Sequence, residues 1–527
     1  MKESRQHERK KFFPNIKVKS TLNQKSYQVN NISLGGLSLT GDDNFSLKNI
    51  YELDLFLPFT KETINFKGEV VYNSQIETEL NETENQQHLI GIKFTEIAHY
   101  NELHDFFEKY NLDPYCNFLD YVENENALSD KTVSNLSDAR RVLKIIKNDL
   151  KNDVYPFHQP IDQISGTKVI IRGEERLNLA SYNYLSLGQD PRFLDVITSA
   201  VKEYGTTASG SRLLSGTFNL HLKLEKLIAD YKQTEAATIF SSGYVANIST
   251  ISSIMGKKDL IIVDKFDHMS ILDGCKLSGS TVVKFDHNNL DELEEILKTS
   301  QDYEKKLIIV DAIYSMGGDI APIKEILDLK KKYDALLMID EAHAFGILGK
   351  TGRGLSEHFN LDVKDIDIYM GTLSKAVPSV GGYIAGSKDL VYYLQHSSNA
   401  YIFSGSLSPQ DVAVSTKALE IMRSEPERIE KLWENINFFK KGIQEIGFDT
   451  QESNSAIIPA VIGFSEETLK FAKRLNENGL FVCSVTYPAV PIDKCIIRNC
   501  VQTNHSKEDL EKAIDIFSKI GKEMKLI

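Results

Sequence analysis

The chain has 527 residues, of which 41% are hydrophobic and 26% charged, enough for the cores of two or three globular domains. Asp and Glu number 74 against 61 Lys and Arg, which argues against general binding of DNA or RNA, since that requires a basic face. The five cysteines form no CxxC pair, and the sequence has neither a secretory signal nor an apolar run long enough for a transmembrane segment. We therefore expect a cytoplasmic protein with reduced thiols.

Residues 1–110 predict a small β-barrel or sandwich. Short apolar or alternating runs are separated there by Gly, Asn and Asp, and they lie at Val18, Tyr27–Val29, Leu37–Leu39, Tyr51–Leu57, Glu69–Tyr72 and Leu89–Phe94. A helix over Tyr100–Tyr110 would close this domain. Residues 111–150 are predicted to form a linker that ends in a helix from Asp138 to Lys151, which either packs on a domain or acts as a spacer.

Residues 151–527 predict an α/β domain followed by a smaller one. Compact apolar strands alternate with helical stretches such as Leu290–Leu297 and Ile323–Tyr333, and this alternation is typical of a mainly parallel sheet covered on both faces. The predicted strands are Ala237–Phe240, Leu260–Val263, Thr281–Phe285, Leu307–Val310, Ala335–Ile339 and Ile366–Met370. After about Leu407 the pattern indicates a smaller α+β domain.

Chemically useful side chains follow two of these strands. Asp340-Glu341-Ala342-His343 comes directly after one, and Gly371-Thr372-Leu373-Ser374-Lys375 comes at the end of another. Ligands of open α/β sheets bind outside the carboxyl ends of the strands. The sequence therefore predicts a cleft that contains an Asp, a His and a Lys.

This set of residues is the one that pyridoxal phosphate needs. Lys375 can form the Schiff base, and Asp340 can pair with the ring nitrogen, which keeps the ring an electron sink. The segment Phe240-Ser-Ser-Gly-Tyr244 reads as a strand, a turn and a helix N-terminus, and such an N-terminus offers N–H groups to a phosphate.

Two other interpretations fit less well. DEAH together with Gly349-Lys350-Thr351 resembles an NTPase, but Ala344 stands where a phosphate loop needs Gly, and the acidic motif precedes the loop. A metal site at Asp340, Glu341 and His343 lacks a second ligand cluster at suitable spacing. We therefore predict no metal.

The region from about 150 to 520 resembles the α-oxoamine synthases, the family of 8-amino-7-oxononanoate synthase, 2-amino-3-ketobutyrate ligase, 5-aminolevulinate synthase and serine palmitoyltransferase. The matching segments, in order, are Ser181–Leu185, Gly210–Thr217, Phe240–Tyr244, Asp267–Ser270, Tyr314–Met316, Asp340–His343, Gly352–Gly354 and Gly371–Lys375. The resemblance implies a fold-type I pyridoxal phosphate transferase that acts as a homodimer. It also implies condensation of an amino acid with an acyl thioester, carried by coenzyme A or a carrier protein, with loss of carbon dioxide.

The resemblance also implies roles for individual residues. Lys375 corresponds to the Schiff-base lysine, Asp340 to the partner of the ring nitrogen, and His343 to a donor to the ring's phenolic oxygen. His268 corresponds to the histidine that stacks on the ring and contacts the substrate carboxylate. Further cofactor contacts are implied for Ser242, Gly243, Tyr244, Ser315, Thr372, Ser374 and Ser404. Asn183 matches a residue that reaches the partner's site, and Arg498 matches the arginine that binds the amino-acid carboxylate.

This chain departs from the family pattern at several places. Asp267 replaces a usual Asn, Gly317 a usual Asp, and Pro378 a usual Gly, while Ser404-Gly405 replaces Ser-Thr. Arg498–His505 resembles serine palmitoyltransferase and suggests a lipid acyl donor. An aminotransferase, which shares the Lys and the Asp, remains the alternative within enzymes.

The N-terminal region resembles a PilZ domain. Arg5 and Arg9 match its RxxxR signature, and Asn31, Ser33 and Gly36 match [DN]xSxxG. The resemblance implies that these five residues bind cyclic di-GMP, since arginines can pair with phosphate or stack on guanine. It also suggests that the nucleotide regulates the enzyme. A non-catalytic cyclic di-GMP effector is the alternative from another functional class.

Overall fold

The computed structural model describes strands within residues 10–97, then residues 137–152 and 154–527. The chain divides into two compact units, Met1–Arg176 and Leu177–Ile527. Over the described residues, no helix is long and apolar enough to cross a membrane.

The strands of the first unit form a closed antiparallel barrel. They are β1 (Lys10–Lys11), β2 (Lys17–Ser20), β3 (Ser26–Ser33), β4 (Gly36–Gly41), β5 (Ile50–Phe56), β6 (Thr63–Gln75) and β7 (His88–Ile97). Their order is β1-β3-β2-β5-β6-β7-β4, and an additional β3–β4 pairing closes the ring. Leu37, Leu53, Phe66, Val70 and Ile92 are buried in it. The predicted small barrel is thus confirmed, while the helix predicted over Tyr100–Tyr110 lies outside the described residues.

The rest of the first unit contains the predicted helix α1 (Ser137–Lys151) and the strands β8 (Gln163–Ser165) and β9 (Lys168–Ile171). Strand β10 (Glu174–Asn178) crosses the boundary between the units. Its last two residues pair with β19 (Leu480–Phe481).

The second unit is built on a seven-stranded sheet. Its strands are β11 (Ala236–Phe240), β12 (Leu260–Asp264), β13 (Thr281–Phe285), β14 (Lys306–Asp311), β15 (Leu336–Asp340), β16 (Ile368–Ser374) and β17 (Pro378–Gly386). Their order is β11-β17-β16-β15-β14-β12-β13, and only β17 runs antiparallel to its neighbours. The predicted mainly parallel sheet is therefore present, and its carboxyl ends meet along one edge.

Helices cover both faces of this sheet. They are α2 (Arg192–Tyr204), α3 (Asn219–Lys232), α4 (Gly243–Ile254), α5 (Met269–Ser278), α6 (Leu290–Thr299), α7 (Ile323–Lys332), α8 (Leu355–Phe359), α9 (Lys388–Ser397), α10 (Asn399–Phe403) and α11 (Pro409–Ser424). Alternate residues of each strand enter different cores: Ile261 and Ile309 pack with α4 and α5, whereas Ile262 and Ile308 pack with the opposite layer. Burial on both faces explains the continuous apolar runs of these strands.

A smaller α+β region completes the second unit. Strands β18 (Ile457–Gly463), β20 (Cys483–Val485) and β21 (Cys495–Cys500) form an antiparallel sheet in the order β18-β21-β20. Helices α12 (Glu427–Glu445), α13 (Ser465–Glu477) and α14 (Lys507–Glu523) pack around it. This region places Arg498 on the central strand, β21.

Candidate active site

A cavity of about 240 Å³ opens at the carboxyl ends of the parallel strands. Asp311 and Asp340 end adjacent strands and are paired in register, so both carboxyl groups lie at the same level of the sheet edge. The lining residues are Ser242, Gly243, Tyr244, Asn247, His268, Ser270, Asp311, Ile313, Asp340, Ala342, His343, Met370, Thr372, Ser374 and Lys375. The cavity therefore joins the motifs that the sequence placed after separate strands.

Lys375 lies in the tight connection between β16 and β17, where Ser374 pairs with Pro378. Its Nζ is 2.8 Å from His343 Nε2. Burial, together with nearby Arg498, lowers the pKa of Lys375 to about 8, even though the charges of Asp340 and Asp311 act to raise it. A substantial fraction of the amine is then neutral near physiological pH, as a nucleophilic lysine requires.

His343 links this lysine to Tyr184, whose hydroxyl is 2.8 Å from His343 Nδ1. Burial holds the pKa of His343 well below its ordinary value, and the positive charges of Lys375 and Arg498 act in the same direction. The imidazole is therefore neutral, with each ring nitrogen engaged by a neighbour. It can accept a proton at one nitrogen and donate one at the other.

Asp340 is held by donors from two sides. Asn247 Nδ2 donates to Asp340 Oδ2 at 2.7 Å, and the backbone N–H of Ala342 donates to Oδ1 at 2.8 Å. Asn247 also donates to Ser270 Oγ at 2.9 Å, and that hydroxyl lies 2.7 Å from His268 Nδ1. One network thus orients both the aspartate and the histidine that face the cavity.

Arg498 lies beside this cavity on β21 and is almost completely buried. Its Nη1 donates to Ser315 O at 3.2 Å, and its Nη2 donates to the hydroxyl of Tyr182. The Tyr182 ring lies 5.0 Å from the guanidinium and 5.6 Å from Lys375 Nζ. Within the described part of the chain, Arg498 Nε has no acceptor, so a donor is left for an anion.

Comparison with known proteins agrees with this geometry. The family described as aminotransferase class I and II matches residues 174–517, and the PilZ domain family matches residues 3–108. The chain is 39% identical to 8-amino-7-oxononanoate synthase of Thermoanaerobacter pseudethanolicus, over 75% of this chain and 100% of that protein. It is 38% identical to serine palmitoyltransferase of Sphingobacterium spiritivorum, over 74% of this chain and 98% of that protein.

Solved structures show the same relationship. Serine palmitoyltransferase from S. paucimobilis, with bound PLP and myriocin, superposes with a TM-score of 0.73 at 31% identity, covering 75% of this chain and all of that one (100%). This chain belongs to the α-oxoamine synthases. It is a pyridoxal phosphate-dependent acyltransferase that carries a PilZ domain at its N-terminus.

The residues of this α-oxoamine synthase suit the cofactor's phosphate. Ser242 caps α4 by accepting the N–H of Val245 at 3.1 Å, while the first-turn N–H groups of Gly243 and Tyr244 have no intrahelical partners. A Cβ on Gly243 would lie 2.9 Å from Met370 Cε and 3.2 Å from the Thr372 side chain, so a larger residue there would require these side chains to shift. The hydroxyls of Thr372 and Ser374, 2.8 Å apart, face the same space. Together they form a cradle of donors at a helix N-terminus.

Four predicted residues of the catalytic site lie outside the cavity lining: Arg498, described above, and three others. Asn183 accepts the N–H of Gly188 at 3.1 Å within its own turn, and Ser404 is half-buried beside the exposed Gly405. Ser315 contributes its backbone oxygen to Arg498.

The residues predicted to bind cyclic di-GMP lie in the first unit. Arg5 and Arg9 lie outside the described residues. Asn31 pairs with Lys11 and with Ser38, and Ser33 pairs with Gly36, so the second half of the signature lies where β3 turns into β4.

Sequence reasoning missed several residues of the site. Asn247 lies one helical turn after Gly243, a spacing that places both on one face of α4. Asp311 ends a strand as Asp340 does, and Ser270 comes two residues after His268. Tyr182 and Tyr184 lie within a matched segment, yet only the fold brings them to Arg498 and His343.

The replacement of Asn by Asp267 also has a structural explanation. Its two carboxyl oxygens accept the backbone N–H groups of Asp264 at 2.9 Å and of Asp311 at 3.0 Å. Burial raises the pKa of Asp267 well above its ordinary value, and the neighbouring Asp311 and Asp264 add to that rise. The side chain thus ties the loop that carries His268 to two strand ends.

Proposed function

We propose that this protein condenses an amino acid with an acyl thioester, from acyl-CoA or an acyl carrier protein, releasing carbon dioxide and an α-oxoamine. The observation that carries the proposal is the buried Arg498, with its unpaired Nε–H, beside a cavity that contains Lys375, His343 and Asp340. When pyridoxal phosphate is bound, it supplies the electron sink for the reacting carbon.

Lys375 would hold the cofactor covalently and later move protons at its Nζ. Asp340 would face the ring nitrogen, and its carboxylate is already oriented by hydrogen bonds from Asn247 and from the N–H of Ala342. Neutral His343 would donate to the phenolic oxygen, and His268 would cover the ring. Ser242, Gly243, Tyr244, Thr372 and Ser374 would hold the phosphate.

Arg498 would bind the amino-acid carboxylate and so orient the bond that is lost as carbon dioxide. A guanidinium can form two parallel hydrogen bonds with a carboxylate, which fixes direction as well as position. Tyr182 supports this role, because its hydroxyl accepts a hydrogen bond from Arg498 Nη2 and so fixes the orientation of the guanidinium.

The test is a screen of amino acids against acyl-CoA chain lengths and acyl carrier proteins, read by release of free thiol and of carbon dioxide. Both products should appear in equal amounts with a preferred pair, and Arg498→Ala should remove both. Exchange of amino groups with a keto acid, without thiol release, would instead identify an aminotransferase.

We also propose that the PilZ domain binds cyclic di-GMP through Arg5, Arg9, Asn31, Ser33 and Gly36, and that binding changes the rate of the synthase. The match over residues 3–108 supports the domain, and the two guanidinium groups suit the two phosphates. Arg9→Ala should weaken nucleotide binding in calorimetry and remove any effect on rate, while basal turnover stays intact. Absence of binding at high micromolar nucleotide would contradict this part of the proposal.

We further propose a cytoplasmic homodimer with domain boundaries near residues 110 and 150. Asn183 and Ser404 match residues that the family donates to a neighbouring active site, and both lie outside the cavity of their own chain. A second copy would bring them to the site, as the two-fold symmetry of homodimers allows.

A further inference from the structure

His287, which follows β13, lies between two carboxylates. Its Nδ1 is 3.0 Å from Asp264 Oδ1, and its Nε2 is 2.9 Å from Asp319 Oδ2. Asp264 ends β12 and is fully buried, whereas Asp319 belongs to the connection between β14 and α7. Each ring nitrogen thus faces a carboxylate oxygen, which favours a proton on both nitrogens and an imidazolium ring, although Asn288 Nδ2 also lies 3.3 Å from Nε2.

The surroundings of His287 favour this charged form. Burial acts to lower the pKa of His287, but its hydrogen bonds to Asp264 and Asp319 outweigh burial and raise the pKa to about 9. The rings of Phe266 and Tyr314 pack against the imidazole, with ring centroids 4.7 and 4.5 Å from its centroid. We call Asp264, His287 and Asp319 the clamp. Its ion pairs are complete at neutral pH and are lost as the pH rises through about 9.

Other polar groups around the clamp belong to the neighbouring elements. Asn288 donates to Asp319 Oδ2 at 3.1 Å, and Asp267 accepts the N–H of Asp264. On the exposed side, Lys265 and Asp286 pair with each other at 3.0 Å.

The departure at position 317 lies next to the clamp. A Cβ on Gly317 would lie 2.4 Å from Asp319 Oδ1, so a side chain there would require that carboxyl oxygen to shift. Glycine therefore leaves room for the observed position of the Asp319 carboxylate.

Asp319 ends a closed turn that also carries the contacts of Arg498. The N–H of Tyr314 donates to Asp319 O at 3.0 Å, and the N–H of Gly318 donates to Tyr314 O at 2.8 Å. Within this turn, Ser315 O and Met316 Sδ accept from Arg498 Nη1 at 3.2 and 3.8 Å. A shift of Asp319 would therefore move the acceptors that orient the guanidinium.

We propose that His287 is a positioning residue for the amino-acid carboxylate site: clamped between Asp264 and Asp319, it holds the turn 314–319 in the place from which Ser315 and Met316 orient Arg498. The inference rests on the proposed function, in which Arg498 binds the substrate carboxylate.

The test compares ligands that differ only in the carboxylate, on the full-length holoenzyme. Binding of L-serine and of ethanolamine is measured from the change in cofactor absorbance, with L-alanine and ethylamine as a second pair. His287→Asn should weaken binding of the amino acid about tenfold at pH 7.5, the effect of losing about 1.4 kcal/mol, while the amine changes less than about twofold. His396→Asn is the matched control, because that histidine is exposed and its hydrogen bond among the described residues goes to Tyr392 O of its own helix.

A second variant keeps the proposal testable if His287→Asn does not fold. Asp319→Asn removes one of the charges that raise the pKa of His287, so the preference for the amino acid over the amine should decline at a lower pH than in wild type. Equal weakening of acid and amine, or an unchanged preference in both variants, would overturn the positioning role. A wild type that binds L-serine and L-alanine no better than the matching amines would instead contradict the proposed function.

Discussion

Replacing Asn247 by leucine tests the network that holds Asp340. Asn247 is fully buried on α4, and it donates to Asp340 Oδ2 at 2.7 Å and to Ser270 Oγ at 2.9 Å. Leucine has the same branching and number of side-chain heavy atoms as asparagine and is bulkier, and it removes both donors. A hydrogen bond to a charged group contributes about 1.5–3 kcal/mol, against about 1 kcal/mol for a neutral pair.

The expected consequence is weaker binding of the cofactor, because Asp340 would no longer be oriented toward the ring nitrogen. At about 1.4 kcal/mol per tenfold change, the loss of the charged bond corresponds to a rise in Kd of about 10- to 150-fold. The assay is titration of pyridoxal phosphate into the cofactor-free protein, followed by absorbance.

The matched control for this experiment is Thr250→Val on the same helix. Thr250 is fully buried, and its hydroxyl has no hydrogen-bond partner within the structure as described, so this change removes no such contact. Its Kd should stay within about threefold of wild type. If the Kd of Asn247→Leu also stays within this range, the reasoning is refuted. If Thr250→Val raises the Kd as much as Asn247→Leu does, the cause is helix packing instead.

Three further predictions concern Lys375 and the assembly. Lys375→Ala should abolish turnover in a folded protein, and borohydride treatment of wild type should fix the cofactor's mass on the peptide containing Lys375; finding it on another lysine would reject the assignment. Because burial lowers the pKa of Lys375 from 10.5 to about 8, its charge opposes folding at pH 7, and this penalty disappears as the pH rises toward 10.5. Lys375→Met should therefore raise the unfolding temperature of the cofactor-free protein more at pH 7 than at pH 10, and calorimetry showing equal gains would contradict this. Sedimentation should show a dimer at assay concentrations, whereas an active monomer would disprove the shared site.

The local elements of the catalytic unit could be predicted from the sequence because their signals are local. Apolar runs bounded by Gly and Asp mark β12, β14 and β15 within a residue or two of their observed bounds. The rule that parallel strands end at one edge then places Asp340 and Lys375 in one cleft. The small-residue turn before α4 likewise identifies a helix N-terminus suited to phosphate.

What the sequence alone determined was therefore the class of fold, the cofactor and the residues that follow the strands. Only the tertiary structure decided which distant side chains complete the site, because contacts between residues far apart in the chain depend on the order in which strands pair. Tyr184 and His343 are 159 positions apart, and Arg498 lies 183 positions from Ser315. The clamp on His287 forms because β12 pairs with both β13 and β14, which brings the ends of three separate connections together. No local pattern encodes that adjacency, since it follows from burying both faces of the whole sheet at once.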